Sequence, residues 1–316
     1  MYWDKEFLLH EVKRDYTMIN TVLGNVGESE IKAALCHEHI CCYSEYLKMM
    51  SGGKLFDKEE LIMAAVSRFK WLKDKYNVNL FVDCTPVNIG RNIDLLKLIS
   101  ERTGVHIVCS TGFYYTEECL LFNTPVEFFT ELYINDAKNV NAGVIKVAVE
   151  NKSLSMLNKK LLIASANAQL QTGLPIIMHT NAENQNGTSA LELLISEGVP
   201  TTAITVGHLS DTDDMDYILK IAQYGCYIGL DRLHENTTEE YIQKKLKTVN
   251  TLIEAGFMDR IILSHDALVY NGFDREPKIN NNARYNYVFD NIFSRLPKEI
   301  AQTVYKRNPI RMLSCQ

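Results

Sequence analysis

The sequence is informative first for what it lacks. No apolar run approaches the ~18 residues of a helical membrane span, which leaves no membrane role to expect. The first sixteen residues, MYWDKEFLLHEVKRDY, mix acids and bases throughout and contain no apolar core, so no secretory signal is expected. Basic residues are not in excess: 33 Lys and Arg stand against 39 Asp and Glu, a net charge of −6, which gives nucleic acid nothing to bind. There are eight cysteines but no C-x-x-C pair, and Cys84, Cys109 and Cys226 sit in apolar runs where cysteine behaves as a small hydrophobe. Reduced thiols in a cytoplasmic protein are therefore expected. Neither G-x-G-x-x-G nor a Walker A stretch occurs, which removes the phosphate-binding turn of a doubly wound nucleotide fold. No linker or low-complexity segment divides the chain.

What is present is a rhythm. Eight β-rich runs alternate with helical patterns: AALCHEH (33–39), LFVDCTP (80–86), HIVCSTGF (106–113), GVIKVAVE (143–150), PIIMHT (175–180), AITVGH (203–208), CYIGL (226–230) and RIILSHD (260–266). They are nearly continuous apolar runs, as parallel strands covered on both faces must be. Helix starts are marked by Asp57 with Glu60 and by Thr237 with Glu240, in capping-box spacing, and Gly104, Gly173, Gly198, Gly225 and Gly256 mark helix ends. With 46% hydrophobic residues, the pattern predicts one closed (β/α)₈ (TIM) barrel over residues 1–316, with 1–32 an N-terminal extension packed on it.

The unusual polar residues gather at the C-terminal ends of these runs, the face on which such barrels build their sites. His37 and His39 close the first, Lys146 lies inside the fourth, and His179, His208 and Asp266 end the fifth, sixth and eighth. Each alone has an ordinary reading: Asp266 as a cap, Lys146 as a side chain reaching out from a strand edge. Together, buried histidines and an aspartate need a compensating ion, and the donor set suits zinc, manganese, iron or cobalt. His265 precedes Asp266 and should point away from the site by alternation. Glu38 should likewise face outward or support the site through a hydrogen bond.

The pattern TVLGNVGESEIKAALCHEH…GVIKVA…IIMHTNAE…TVGHLSDTDDMDYI…IGLDR…ILSHD…RNPIRML resembles the phosphotriesterase-like branch of the amidohydrolase superfamily, over roughly Thr21 to Leu313. The resemblance implies two divalent metal ions, with zinc foremost and manganese, cobalt or iron as alternatives. His37, His39 and Asp266 would hold one ion and His179 and His208 the other, with Lys146 bridging both as an N6-carboxylated lysine. An amine in apolar surroundings is held toward the neutral form that attacks carbon dioxide. The implied chemistry is attack by a metal-bridging hydroxide, with Asp266 moving the proton.

Two positions bear on the substrate. Tyr114 follows the third strand and Arg232 the seventh, where lactonase-like members of the branch carry tyrosine and arginine. A tyrosine hydroxyl can hold or polarise a lactone oxygen, and an arginine cannot relay a proton at neutral pH. Asp211 is expected either to pair with Arg232 or to cap the next helix. The reading is a hydrolase of lactone or ester substrates, a lactonase with phosphotriesterase side activity. The alternatives are an aryl-dialkylphosphatase-type phosphotriesterase and a metal-retaining protein without catalysis. Arg275, Lys278, Tyr270 and Phe273, after the eighth strand, are candidates for substrate contact, and a homodimer is expected by analogy with similar barrels.

Overall fold

The computed structural model describes residues 18–233 and 236–314. A hairpin of β1 (Met18–Thr21) and β2 (Gly24–Gly27) leads into β3 (Ala33–Glu38), a two-residue β4 (Cys41–Cys42) and β5 (Val78–Asp83). Then follow β6 (His106–Gly112), β7 (Val144–Ala148), β8 (Ile176–His179), β9 (Ile204–Val206), β10 (Tyr227–Leu230), β11 (Ile261–Leu263) and the short β12 (Tyr270–Asn271). Eight of these form one parallel sheet in the order β3, β5, β6, β7, β8, β9, β10, β11. The ends meet: the amides of Cys36 and His37 both donate to Ser264 Oγ, and the Asp266 amide donates to the His37 carbonyl at 2.9 Å. The expected (β/α)₈ barrel is the observed fold.

Between the strands run α1 (Glu45–Met50), α2 (Lys58–Tyr76), α3 (Ile93–Thr103), α4 (Val126–Val140), α5 (Met156–Thr172), α6 (Gly187–Ser196), α7 (Met215–Gln223) and α8 (Glu239–Glu254). Asp57 caps α2 by accepting from the Glu60 amide, as its spacing predicts. The cap of α8 lies one residue later than expected: Thr238, not Thr237, accepts from the Tyr241 amide. Asn236 Oδ1 takes the Thr238 amide in a turn that delays the helix start. No helix among the described residues is long and apolar enough to cross a membrane.

Two apolar layers follow from strand alternation. Outward residues such as Leu35, Phe81, Ile145 and Met178 pack against the helices. Inward residues such as Ala34, Cys36, Val82, Val108, Val144 and Ile177 fill the barrel with Ile19, Val26 and Ile31 from the segment before it. That segment is tied on by the Val22 amide to the Ile107 carbonyl and by Asn20 Nδ2 to the Ala142 carbonyl. Of the expected extension, residues 1–17 lie outside the described residues, and with them the reading of the first sixteen. The seven described cysteines are free thiols, six of them buried.

Candidate metal centre

Inward parity carries most of the site residues to one place. In β7 Lys146 shares the inward side with Val144, and in β8 His179 shares it with Ile177. After β11, Ser264 and Asp266 continue the parity of Ile262. β3 needs a correction to reach the same point. Ala34 and Cys36 point inward, so strict alternation would turn Glu38 inward and both histidines out. The register with β5 shifts between Leu35 and Glu38, and two successive amides share Ser264 Oγ. This is a β-bulge, which re-aims a side chain at a site. His208 uses another device: φ is +63° there, a left-handed turn that brings it back beside His179.

The convergence is tight. Lys146 Nζ lies 2.6 Å from His37 Nε2, and His39 Nε2 lies 3.0 Å from Asp266 Oδ1. Asp266 Oδ1 is also 3.6 Å from His37 Nε2, and Oδ2 is 3.8 Å from His208 Nε2. His208 Nε2 and His179 Nδ1 are 2.7 Å apart. All six predicted positions therefore share one cluster at the C-terminal ends of the strands. Lys146 and the four histidines are buried, and the Asp266 side chain keeps 14% of its surface exposed.

Each histidine is fixed from behind. Asp231 Oδ2 accepts from His37 Nδ1 at 2.7 Å, and its Oδ1 from His208 Nδ1 at 2.5 Å and from the His208 amide at 2.8 Å. His39 Nδ1 meets Thr85 Oγ1 at 2.8 Å, and His179 Nε2 meets Glu150 Oε1 at 2.6 Å. Such contacts set which ring nitrogen carries the proton. Gly207 and Gly229 make room for this: a Cβ at either would stand 3.3 Å from Asp231 Oδ2 and under 3.0 Å from main-chain atoms. Asp231, Glu150 and Thr85 were missed in the sequence. Inward parity would have found two of them, since Asp231 follows Tyr227 and Gly229 and Glu150 follows Lys146 and Ala148.

Burial dominates the protonation states. It pushes His179 down to about 4 and His208 down to about 3, with Glu150 and Asp231 respectively opposing it. Burial likewise lowers His37, with Lys146 adding to the effect. It opposes ionisation of Asp231, but His208 and His37 together outweigh it and hold this carboxyl far below the usual range. The His179 contact carries Glu150 down to about 2. His37, His179 and His208 are thus neutral, their outer nitrogens donate, and their inner lone pairs face the cluster. Two lone pairs 2.7 Å apart, on His179 and His208, repel unless a cation lies between them. With Asp266 and Lys146 beside them, the donor set fits divalent metal ions.

Arg232, also left-handed at φ +63°, lies over the cluster. Its Nε donates to Asp266 Oδ2 at 2.9 Å and its Nη1 to Asp211 Oδ2 at 2.8 Å, so Asp211 is Arg232's partner and the cap of α7 is Asp214. Tyr114 OH donates to Glu150 Oε1 at 2.9 Å and lies 3.4 Å from His179 Nε2. Burial, then Glu150, raise this phenol far above its ordinary value, so it keeps its proton. His265 faces away, as expected. Arg232 lines both a cavity of about 950 Å³ beside Asp266 and one of about 530 Å³ beside His179. Lys278 borders the larger; Arg275 is exposed and does not line it. Tyr270 does not wall a substrate channel: it is buried under Phe56 and donates to the Leu55 carbonyl, while Phe273 is 56% exposed. β12 pairs with β4, and that draws Tyr270 into the core.

Residues 17–311 match the model of the phosphotriesterase family. The chain is 30% identical to an aryldialkylphosphatase of Saccharolobus solfataricus over 308 residues, covering 92% of this chain and 97% of the relative. It is 27% identical to a phosphotriesterase homology protein of Mycobacterium tuberculosis over 275 residues, 82% of this chain and 83% of the other. It is also 27% identical to a human N-acetyltaurine hydrolase over 297 residues, 78% and 83% of the two chains.

Proposed function

The chain belongs to the phosphotriesterase family and is a hydrolase of it, and within that family we propose that it opens lactone rings. His37, His39 and Asp266 would hold one divalent ion, His179 and His208 a second, and Lys146, carboxylated on Nζ, would join the two. Zinc is the first choice, with manganese, cobalt and iron compatible with the same donors. When bound, the ions supply an activated water and polarise the scissile carbonyl.

The chain's own residues do the rest. Burial opposes its ionisation, yet Asp266 is held well below the usual carboxylate range, with the Arg232 guanidinium donating to its Oδ2, so its carboxylate can take the proton of the attacking water and return it to the leaving ring oxygen. Arg232 keeps Asp266 Oδ2 in place and remains charged, so it positions without relaying a proton. Tyr114 carries the lactone reading: its retained proton, held on Glu150 beside His179 at the site's edge, can turn to bond the ring or carbonyl oxygen as charge develops. The larger cavity is lined mostly by polar side chains, among them Asn271, Asp274, Lys278, Asn280 and Asn282, with Ala267, Leu268, Val269 and Ile279 as its aliphatic part and no aromatic wall among the described residues. Such a lining supports a lactone with hydroxyl or other hydrogen-bonding substituents over one with a long acyl chain.

The test is a pH-indicator assay of zinc- and manganese-loaded protein against hydroxylated, phosphorylated, aliphatic and acyl-homoserine lactones. An aryl phosphotriester and N-acetyltaurine complete the panel, since relatives carry those activities in their names. A polar lactone should turn over with kcat/KM near ~10⁴ M⁻¹s⁻¹ or above. If every lactone is inert and the phosphotriester or the amide is cleaved, the lactone assignment is lost and the metal hydrolase remains.

A further inference from the structure

Glu38, between the two histidines of HEH, is fully buried yet points away from the cluster. Its carboxylate is engaged on three sides. Oε1 accepts from the His265 amide at 3.0 Å and from His265 Nδ1 at 2.5 Å, and Oε2 accepts from the Ala267 amide at 3.0 Å. The two amides are those on either side of Asp266. The Asp266 amide itself goes to the His37 carbonyl, and the His39 amide to the Ala267 carbonyl. Asp266 sits at φ +54°, a left-handed backbone that side-chain-bearing residues adopt only where the surroundings impose it.

We infer that Glu38 is a positioning residue for Asp266: one buried carboxylate spans the strained residue and holds its backbone in the left-handed turn, which aims the Asp266 side chain at the histidines. A carboxylate suits this because it only accepts, and the two amides and the imidazole N–H named above all donate to it. Glutamine at 38 would turn an N–H₂ toward one of the flanking amides, leaving that donor unpaired and the bracket open on one side. His265 Nε2 accepts from the Val288 amide, so the imidazole ties the bracket to α9 (Tyr287–Asn291), but it is the two main-chain contacts that fix Asp266.

This rests on the reading of Asp266 as a metal ligand and proton acceptor, and the experiment separates the two. Amide hydrogen exchange of residues 264–268 in Glu38→Gln reports the bracket without any substrate. Exchange should rise by about an order of magnitude or more there, while segments across the barrel stay unchanged. Bound zinc after dialysis should fall, and kcat on any substrate that the parent turns over should drop about 10- to 100-fold with KM within about 2-fold. His265→Asn keeps both amide contacts and should lower the unfolding midpoint while leaving kcat near the parent's. A purely structural role would lower stability in both variants and leave kcat in both. Should Glu38→Gln not fold, Glu38→Asp, too short to span both amides, takes its place with a smaller kcat loss expected. Parental exchange at 264–268, or a kcat loss in His265→Asn as large as in Glu38→Gln, overturns the inference. An inert parent with faster exchange in Glu38→Gln sinks the lactone reading and leaves the bracket standing.

Discussion

Asp231 holds two imidazoles with one carboxylate, and neither oxygen is spare: Oδ2 serves His37, and Oδ1 serves the His208 ring and amide. Replacing it by Asn leaves one acceptor oxygen for two rings and turns an N–H₂ toward the other, which frees that ring to rotate and to exchange tautomers. Asp231→Asn should therefore weaken zinc binding by about 10- to 100-fold, read by competition with a chelator. Parental affinity would show that the rings are fixed by something else. Tyr114 differs, because it stands at the edge of the cluster and its proton, held on Glu150 Oε1, can turn from there to a substrate oxygen. Tyr114→Phe should keep zinc content and lower kcat for a lactone by about 10-fold or more, as the loss of an oxyanion donor does. Unchanged kcat would leave Tyr114 as a prop for Glu150. Lys146→Ala should lose metal and activity together, and bicarbonate during metal loading should raise the activity of the parent; two metals per chain in the variant would remove the bridge.

At the scale of elements, caps and site obey separate physics. The α2 cap lies at Asp57, which accepts from the Glu60 amide on an exposed helix end. Asp57→Ala should lose about 1 kcal/mol in urea unfolding and leave zinc content untouched; a loss of metal would mean that α2 carries strain to the site. The elements themselves were legible because apolar runs and capping residues are local signals: all eight strand runs fall on barrel strands, and the polar strand ends led to five of the six clustered positions, with Lys146 inside its strand as the sixth. What was hidden depends on backbone irregularity or on partners distant in sequence. The bulge at Cys36–His37 exists because Ser264, 228 and 227 residues away, takes both amides. The left-handed His208 needs Asp231 to accept its amide. Thr238 displaced Thr237 as a cap because a neighbouring Asn altered the turn, and Tyr270 went into the core because a two-residue strand pulled it there.

The molecule as a whole should show the site in its response to acid. His179, His208 and His265 are buried neutral imidazoles, pushed by burial to about 4, about 3 and about 3 respectively. In the unfolded chain each returns to about 6.5. As pH falls through that value the unfolded chain takes up protons that the fold refuses, so stability drops, by up to about 1.4 kcal/mol per pH unit for each imidazole. Asp211 works the other way, since burial raises it to about 6 and the fold binds its proton before the unfolded chain does. One carboxylate offsets part of what three imidazoles lose, and the net sign stays negative between pH 7 and 5. Glu150, held at about 2, adds its loss only below about pH 4. Metal-stripped protein should therefore unfold at steadily lower urea concentration from pH 7.5 through 6.0 to 5.0. Zinc-loaded protein should fall more steeply, because protons also displace the ion from its histidines. A flat or rising midpoint in the stripped protein would mean that the imidazoles are already protonated in the fold, with no lone pairs to offer a metal.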